Sequence, residues 1–292
     1  MPVFRQTYPR WRPAEGARRA RWWPIVRREL QLLLAQRAFK SLLIIAALPT
    51  LVHLLQIYSV NELSSNPTGQ LARAMRQVSL HIDAEFFFRF LALKMYFVFV
   101  LLLYASSGLV CDDLRLNLVE VYFSKPLTVR DYLVGKLATV AGLGLAYTAL
   151  PALFLLLAQL LMAPDTGFAT GELPRILPAV LVQSVVIVAP IALTTLACSA
   201  LTPSRGFAAA TLIALLGVDT LVALLLSDLL ELRSANIVNV PAAMLRLGEQ
   251  LFGLRHDIPL AWPWALLVVG GVSALAFVVL RARLRSVDLG GA

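Results

Sequence analysis

Apolar residues run almost unbroken through six stretches of the chain: Ser41 to Tyr58, Phe90 to Val110, Leu137 to Ala163, Ile176 to Leu201, Phe207 to Ser227 and Trp264 to Leu280. A hydrocarbon layer of about 30 Å takes about 20 residues of α-helix to cross, and in that layer every backbone N–H and C=O must be satisfied within the segment. Each stretch therefore predicts a transmembrane helix, and the fold class is all-α and polytopic. The first run is short and carries His53 and Gln56 near its outer end. Ahead of it, Trp22, Trp23, Val26, Leu30 and Leu33 gather on one side of a helix drawn at 100° per residue, with Arg27, Arg28 and Gln31 on another. That pattern predicts an amphipathic elbow helix over 22–40, lying in the headgroup layer with its Trp pair at the interface. Arg37 falls back into the apolar sector, so the in-plane part ends there and the chain turns up into the first span. A single continuous helix entering the membrane is the alternative. Residues 1–21, with Pro2, Pro9, Pro13 and scattered Arg, read as a basic disordered tail; residues 41–286 form the six-helix domain, and 287–292 a short C-terminal tail.

The polar breaks between spans differ in character. Thr202 to Gly206, TPSRG, is short enough to make a tight hairpin. The segment from Ser59 to Arg89 starts with turn residues and then turns helical. Within Asp228 to Pro263, Asn239 and Pro241 look like a helix start and Gly253 a stop, which predicts a short amphipathic helix. Between the second and third spans stands CDDLRLNLVEVYFSKPLTVRDYLVGK, Cys111 to Lys136. Asp112 and Asp113 suit the first turn of a helix reaching to about Phe123. Lys125 and Pro126 break it, since the residue before proline avoids helical torsions. Thr128 with Asp131 three positions on is a capping-box variant that starts the next helix. The segment is a helix, a break and a restart.

Composition agrees with the span reading: 59% of residues are hydrophobic, 15% are charged and the mean hydropathy is +0.77. If the N-terminus is cytosolic, most Lys and Arg fall on the inner side, which satisfies the positive-inside rule and places both termini in the cytosol of a multi-pass protein of the bacterial inner membrane. The net charge of +9 then has its counterpart in anionic membrane lipid, and no nucleic-acid partner is expected. Chemistry within the chain finds little support. Gly135 and Lys136 precede Leu137 rather than Ser or Thr, so there is no phosphate-cradling loop. His53, His81 and His256 are scattered, with no metal-ligand spacing. The only cysteines are Cys111 and Cys198. No catalytic residue, metal or cofactor is expected in this chain.

The run from Asp112 and Arg115 through Glu120, Phe123, Ser124, Lys125, Pro126, Leu127, Arg130, Asp131, Tyr132, Gly135 and Lys136 resembles the segment after the second span in permease subunits of ABC-2 type transporters. The layout of elbow helix, six spans and a sizeable segment before the last span is similar over nearly the whole chain. Family members commonly carry Gly-Thr-Leu-Glu where this sequence reads Asn117, Leu118, Val119, Glu120, and only the Glu matches. The resemblance implies a membrane subunit that pairs with a second copy of itself or with a homologous permease. Separate ABC ATPase subunits would hold ATP and Mg²⁺. The segment would be the coupling helix, with Asp112, Asp113, Arg115, Glu120, Phe123, Lys125, Pro126 and Arg130 facing the ATPase. A solvated inner loop is the plainer reading of the same charges. The family's range of substrates also leaves room for a periplasmic partner.

Polar residues inside the spans offer a translocation path or interhelical contacts: Asp219, Gln183 and Thr194 are the candidates for the former. Pro49, Pro151, Pro178 and Pro190 keep open a different class, an ion-gradient-driven secondary transporter with broken helices around a midplane site. A membrane scaffold without transport is a third. Ala138, Gly142 and Ala146, spaced by four, predict a face of close helix packing.

Overall fold

The computed structural model describes residues 21–65, 81–116, 118, 127–163, 167–230, 239–255, 258 and 260–290. Its elements are α1 (Trp23–Ala35), α2 (Arg37–Ser65), α3 (Ala84–Ser106), α4 (Cys111–Arg115), α5 (Val129–Met162), a π-type turn (Phe168–Glu172) leading into α6 (Leu173–Leu201), α7 (Arg205–Leu230), α8 (Val240–Phe252) and α9 (Trp262–Gly290). Among the described residues all of these are helical. Six helices are long and apolar enough to cross a membrane: Arg37–Glu62, Ala84–Arg115, Val129–Met162, Phe168–Leu201, Arg205–Val222 and Trp262–Leu284.

Local chemistry sets several of the boundaries. Gln36 takes an extended backbone, ψ 127°, and separates α1 from α2 at the place where Arg37 breaks the apolar stripe. Asp83 accepts from Phe86 N at 3.0 Å and starts α3 six residues ahead of the predicted apolar run, inside what the sequence suggests is loop. Thr128 and Asp131 form the expected capping box at the head of α5. Asn239 accepts from Ala242 N at 2.8 Å, and Gly253, at φ +64°, closes α8 in the left-handed region that glycine reaches without strain. α9 continues as helix through Gly290, past the predicted tail boundary. The tail over residues 1–20 and the helical pattern through Leu71, Met75 and Val78 lie outside the described residues; Ile82, the last position of that pattern, is not helical, and Asn61 to Ser65, read from the sequence as turn residues, continue α2. Pro49, Pro151, Pro178 and Pro190 all sit within unbroken helices.

α6 is the central helix. Its apolar positions Ile176, Val180, Ile187, Val188 and Leu196 belong to a buried core shared with Phe87, Phe90 and Leu102 of α3 and Val140, Leu155 and Leu156 of α5. Close packing there is set by Gly144: a Cβ at this position would lie 2.7 Å from Val188 Cγ1 and 3.1 Å from Leu102 Cδ1. Gly142 has nothing within 4 Å and is exposed together with Ala146. The predicted small-residue face thus looks outward, and the close approach is made two residues further on, by Gly144. The bundle has two ends. One carries α1, α4, the 202–204 turn and the end of α9 and is rich in Arg; the other carries α8 and the start of α3.

Gly144→Leu should lower the thermal unfolding midpoint in micelles clearly, as overpacking a filled interior costs about 1–3 kcal/mol. Gly142→Leu should stay within about 0.5 kcal/mol of the parent. Equal effects at the two positions would refute this placement of the close approach.

Candidate functional site

Tyr132 and Lys136 are one turn apart on α5 and so share a face. The Lys136 ammonium, its side chain 2% exposed, lies 2.6 Å from Glu29 Oε1 of α1 and 2.7 Å from Asp113 Oδ2 of α4. Tyr132 donates its hydroxyl to the same Asp113 oxygen at 2.8 Å, and its ring centroid is 5.4 Å from Lys136 Nζ. Two carboxylates and one ammonium would leave a net negative charge in a poorly hydrated place. The hydroxyl donation to Asp113 offsets part of it. Gly135 lets α1 come this near, for a Cβ there would meet Ile25 at 3.0 to 3.2 Å. Two consecutive elements and α1, far from both in sequence, are thus joined through one cation.

A second set of bonds holds the neighbouring backbone. Ser199 Oγ, near the end of α6, accepts from Val110 N and Cys111 N, both at 3.2 Å, and donates to Ser107 O at 3.0 Å. The turn between α3 and α4, where helical bonding is interrupted, is thereby satisfied from a different span. Asp112 takes charge-assisted hydrogen bonds from Arg205 at the first residue of α7, and lies 3.8 Å from Arg115. Arg205 also lies close against Gly108, where a side chain would collide with it. With Arg205 63% exposed, this pair contributes little to stability and more to register.

The predicted coupling residues are therefore divided. Arg115 and Arg130 are exposed on the Arg-rich end and Asp112 is half-buried beside them. Asp113 points inward, 7% exposed, where Lys136 and Tyr132 hold it, so it belongs to the internal pin and offers no docking surface. Of the helix predicted from Asp112 to Phe123, Cys111 to Arg115 is seen, with a turn at Leu116 and helix again at Leu118. Glu120, Phe123, Lys125 and Pro126 lie outside the described residues. In α1 the apolar stripe is also shared out. Val26 and Leu33 are buried against the protein and Leu30 is half-buried, whereas Trp23 is exposed and Trp22 partly so. Val26 and Leu33 are thus contacts within the chain instead of lipid contacts, because α1 lies on α5 and α2.

The candidate path residues do not converge. Asp219 accepts from Val240 N at 3.0 Å and Gln183 donates to Met244 O at 3.1 Å, so both hold α8 against the bundle. Thr194 donates to Pro190 O at 2.7 Å within its own helix, next to the proline. Sequence reasoning passed over Glu29, Ser199, Arg205 and Lys94. Glu29 stands among Val26, Leu30 and Leu33 on the apolar stripe, which is the signal for a buried acid awaiting a cation. Lys94 is a lone charge inside an apolar run. It is fully buried, donates to Ala46 O at 3.0 Å, and faces the Tyr147 and Phe90 rings with centroids at 4.1 and 5.6 Å. No group of three or more His, Cys, Asp or Glu among the described residues could hold a metal ion.

Lys136→Met should cost about 3–5 kcal/mol, since it strands two buried carboxylates, and Glu29→Gln/Asp113→Asn/Lys136→Met should recover most of that loss. Thermal unfolding of the parent and the two variants in one detergent measures it; a triple variant no better than the single would show that the charges are not coupled. Ser199→Ala should cost about 1–3 kcal/mol through the orphaned Val110 and Cys111 N–H groups, and Ser199→Thr should keep part of it.

No protein-family model matches the chain and no curated protein is similar to it in sequence, so the role of this site is read from its own residues.

Proposed function

We propose that the chain is the membrane subunit of an ATP-driven transporter of the ABC-2 type, with its Arg-rich end in the bacterial cytosol. It couples ATP hydrolysis by separate ATPase subunits to export of a substrate, or to force on a partner across the inner membrane. The chain itself is non-catalytic, and ATP and Mg²⁺ belong to the ATPase. The observation that carries this reading is the Lys136 pin. The segment between the second and third spans is tied at its root to α5 and, through Glu29, to α1, and Ser199 ties the same root to α6. A push delivered at this root reaches three helices through direct bonds, which is what transmission of force needs. Exposed Arg115 and Arg130 flank it and suit a mixed-charge docking surface that sets register. α1 acts as the elbow helix. The first and fifth spans are 17% and 11% buried against 56% for the fourth, which leaves flanks for a second copy or a homologue as well as for lipid.

Affinity purification of the tagged full-length chain in mild detergent should recover an ATPase subunit, and scrambling Glu120 to Lys125 should lower that recovery about tenfold or more, the loss typical of removing a binding hot spot. Recovery of no ATPase, or recovery untouched by the scramble, would contradict the proposal. One observation favours a second reading. A lysine buried at membrane depth with a backbone carbonyl as its hydrogen-bond acceptor is the kind of residue that ion-gradient-driven transporters use. Under that reading substrate moves in sealed vesicles without ATP and stops in Lys94→Met; under the first it requires the ATPase.

A further inference from the structure

At the Arg-rich end a small pocket of about 290 Å³ opens between α4, the 202–204 turn and α9. Leu114, Leu201 and Pro203 form its apolar wall, and Arg115 and Arg283 stand at its rim with Thr202 beside them. Its level in the bilayer is given by where the spans stop: the second ends at Arg115, the fourth at Leu201 and the sixth at Leu284. All three ends meet at this pocket, so it lies at headgroup depth. The charges are directed as well as present. Asp112 would oppose an anion here, but its carboxylate is engaged by Arg205, and it reaches Arg115 only at 3.8 Å. The Arg115 guanidinium, 60% exposed, keeps donors for another acceptor. A volume near the lower limit of ligand pockets, roughly 300–1,000 Å³, excludes a large solute and accepts a phosphate ester with the start of its glycerol.

We propose that this pocket binds a phosphate-bearing headgroup, that of an anionic phospholipid of the inner leaflet, with Arg115 and Arg283 as its ligands and Leu114, Leu201 and Pro203 against the glycerol and first methylenes. Arg holds phosphate through paired N–H donors, and basic pockets between spans at this level bind lipid headgroups. The site touches α4, α6 and α9 together, so an occupied pocket would brace the root of the segment that Lys136 and Ser199 already hold. The choice of the inner leaflet rests on the orientation proposed above, while the headgroup site itself does not depend on transport.

Native mass spectrometry and thermal unfolding of the full-length chain in a neutral detergent test it, with added phosphatidylglycerol, phosphatidylcholine, glycerol 3-phosphate or inorganic phosphate. Phosphatidylglycerol should stay bound and raise the unfolding midpoint, with phosphatidylcholine much weaker. Arg115→Gln/Arg283→Gln should weaken the binding about tenfold or more, while Arg281→Gln, two residues away on α9 and outside the pocket, should not. Saturation by glycerol 3-phosphate or inorganic phosphate alone, with no gain from the acyl chains, would keep the phosphate site and overturn its lipid source. Equal binding of both lipids, or undiminished binding of phosphatidylglycerol by the double variant, would overturn the proposal. Should the double variant not fold, Arg283→Gln alone and displacement of phosphatidylglycerol by phosphatidylcholine from the unmodified chain give the same decision. Protection of the pocket residues by a partner protein, with no lipid retained, would also overturn it.

Discussion

A single ammonium, that of Lys136, is held between Glu29 and Asp113 at 2.6 and 2.7 Å and is nearly removed from solvent. Its physical weight comes from asymmetry. A buried pair adds modest net stability relative to apolar residues of the same shape, yet removing one member leaves charge with no water to receive it. The arrangement therefore specifies position more than it contributes energy. Each of α1, α4 and α5 has a strong electrostatic reason to be where it is, and none can leave without stranding a charge on the others. Apolar contacts such as Val26 and Leu33 also hold α1, but they are not directional; the charges fix its register against α4 and α5.

The rest of the Arg-rich end elaborates this constraint. Ser199 satisfies the backbone where α3 turns into α4, and Arg205 occupies Asp112, so the end of α6 and the start of α7 join the same body. At the opposite end the polar groups are spent on architecture. Asp219 and Gln183 hold α8 by its backbone, and buried Arg246 donates to Leu260 O at 2.7 Å, tying the helix to the segment leading into α9. One end of the bundle presents exposed cations around a braced root, the other a helix sealed onto the spans.

Much of this was legible in the sequence. Hydrophobic run length predicted the six spans, because the bilayer imposes the same length on any helix. Local chemistry predicted the Thr128 cap, the Asn239 start and the Gly253 stop, because each needs only near neighbours. What escaped was pairing across distance. Glu29 and Lys136 are 107 residues apart, and their spacing in sequence carries no sign of contact. The resemblance puts Asp113 with its neighbours on a docking surface, but a resemblance in sequence carries no sign of the Tyr132 and Lys136 groups that turn it inward. Val26 and Leu33 were assigned to lipid on amphipathicity alone, which reports that a face is apolar and not what covers it. The extra turns at the start of α3 came from a cap, Asp83, that polar residues upstream disguised as loop.

Hydrogen exchange of the full-length chain, compared with Lys136→Met, tests most directly whether α1, α4 and the head of α5 form one body. The account predicts that the substitution speeds exchange together in α1 and in Cys111–Leu116, while α8, held by separate bonds, keeps its protection. If α1 kept its protection while Cys111–Leu116 alone opened, or if all helices loosened equally, the three elements would not be joined through that ammonium.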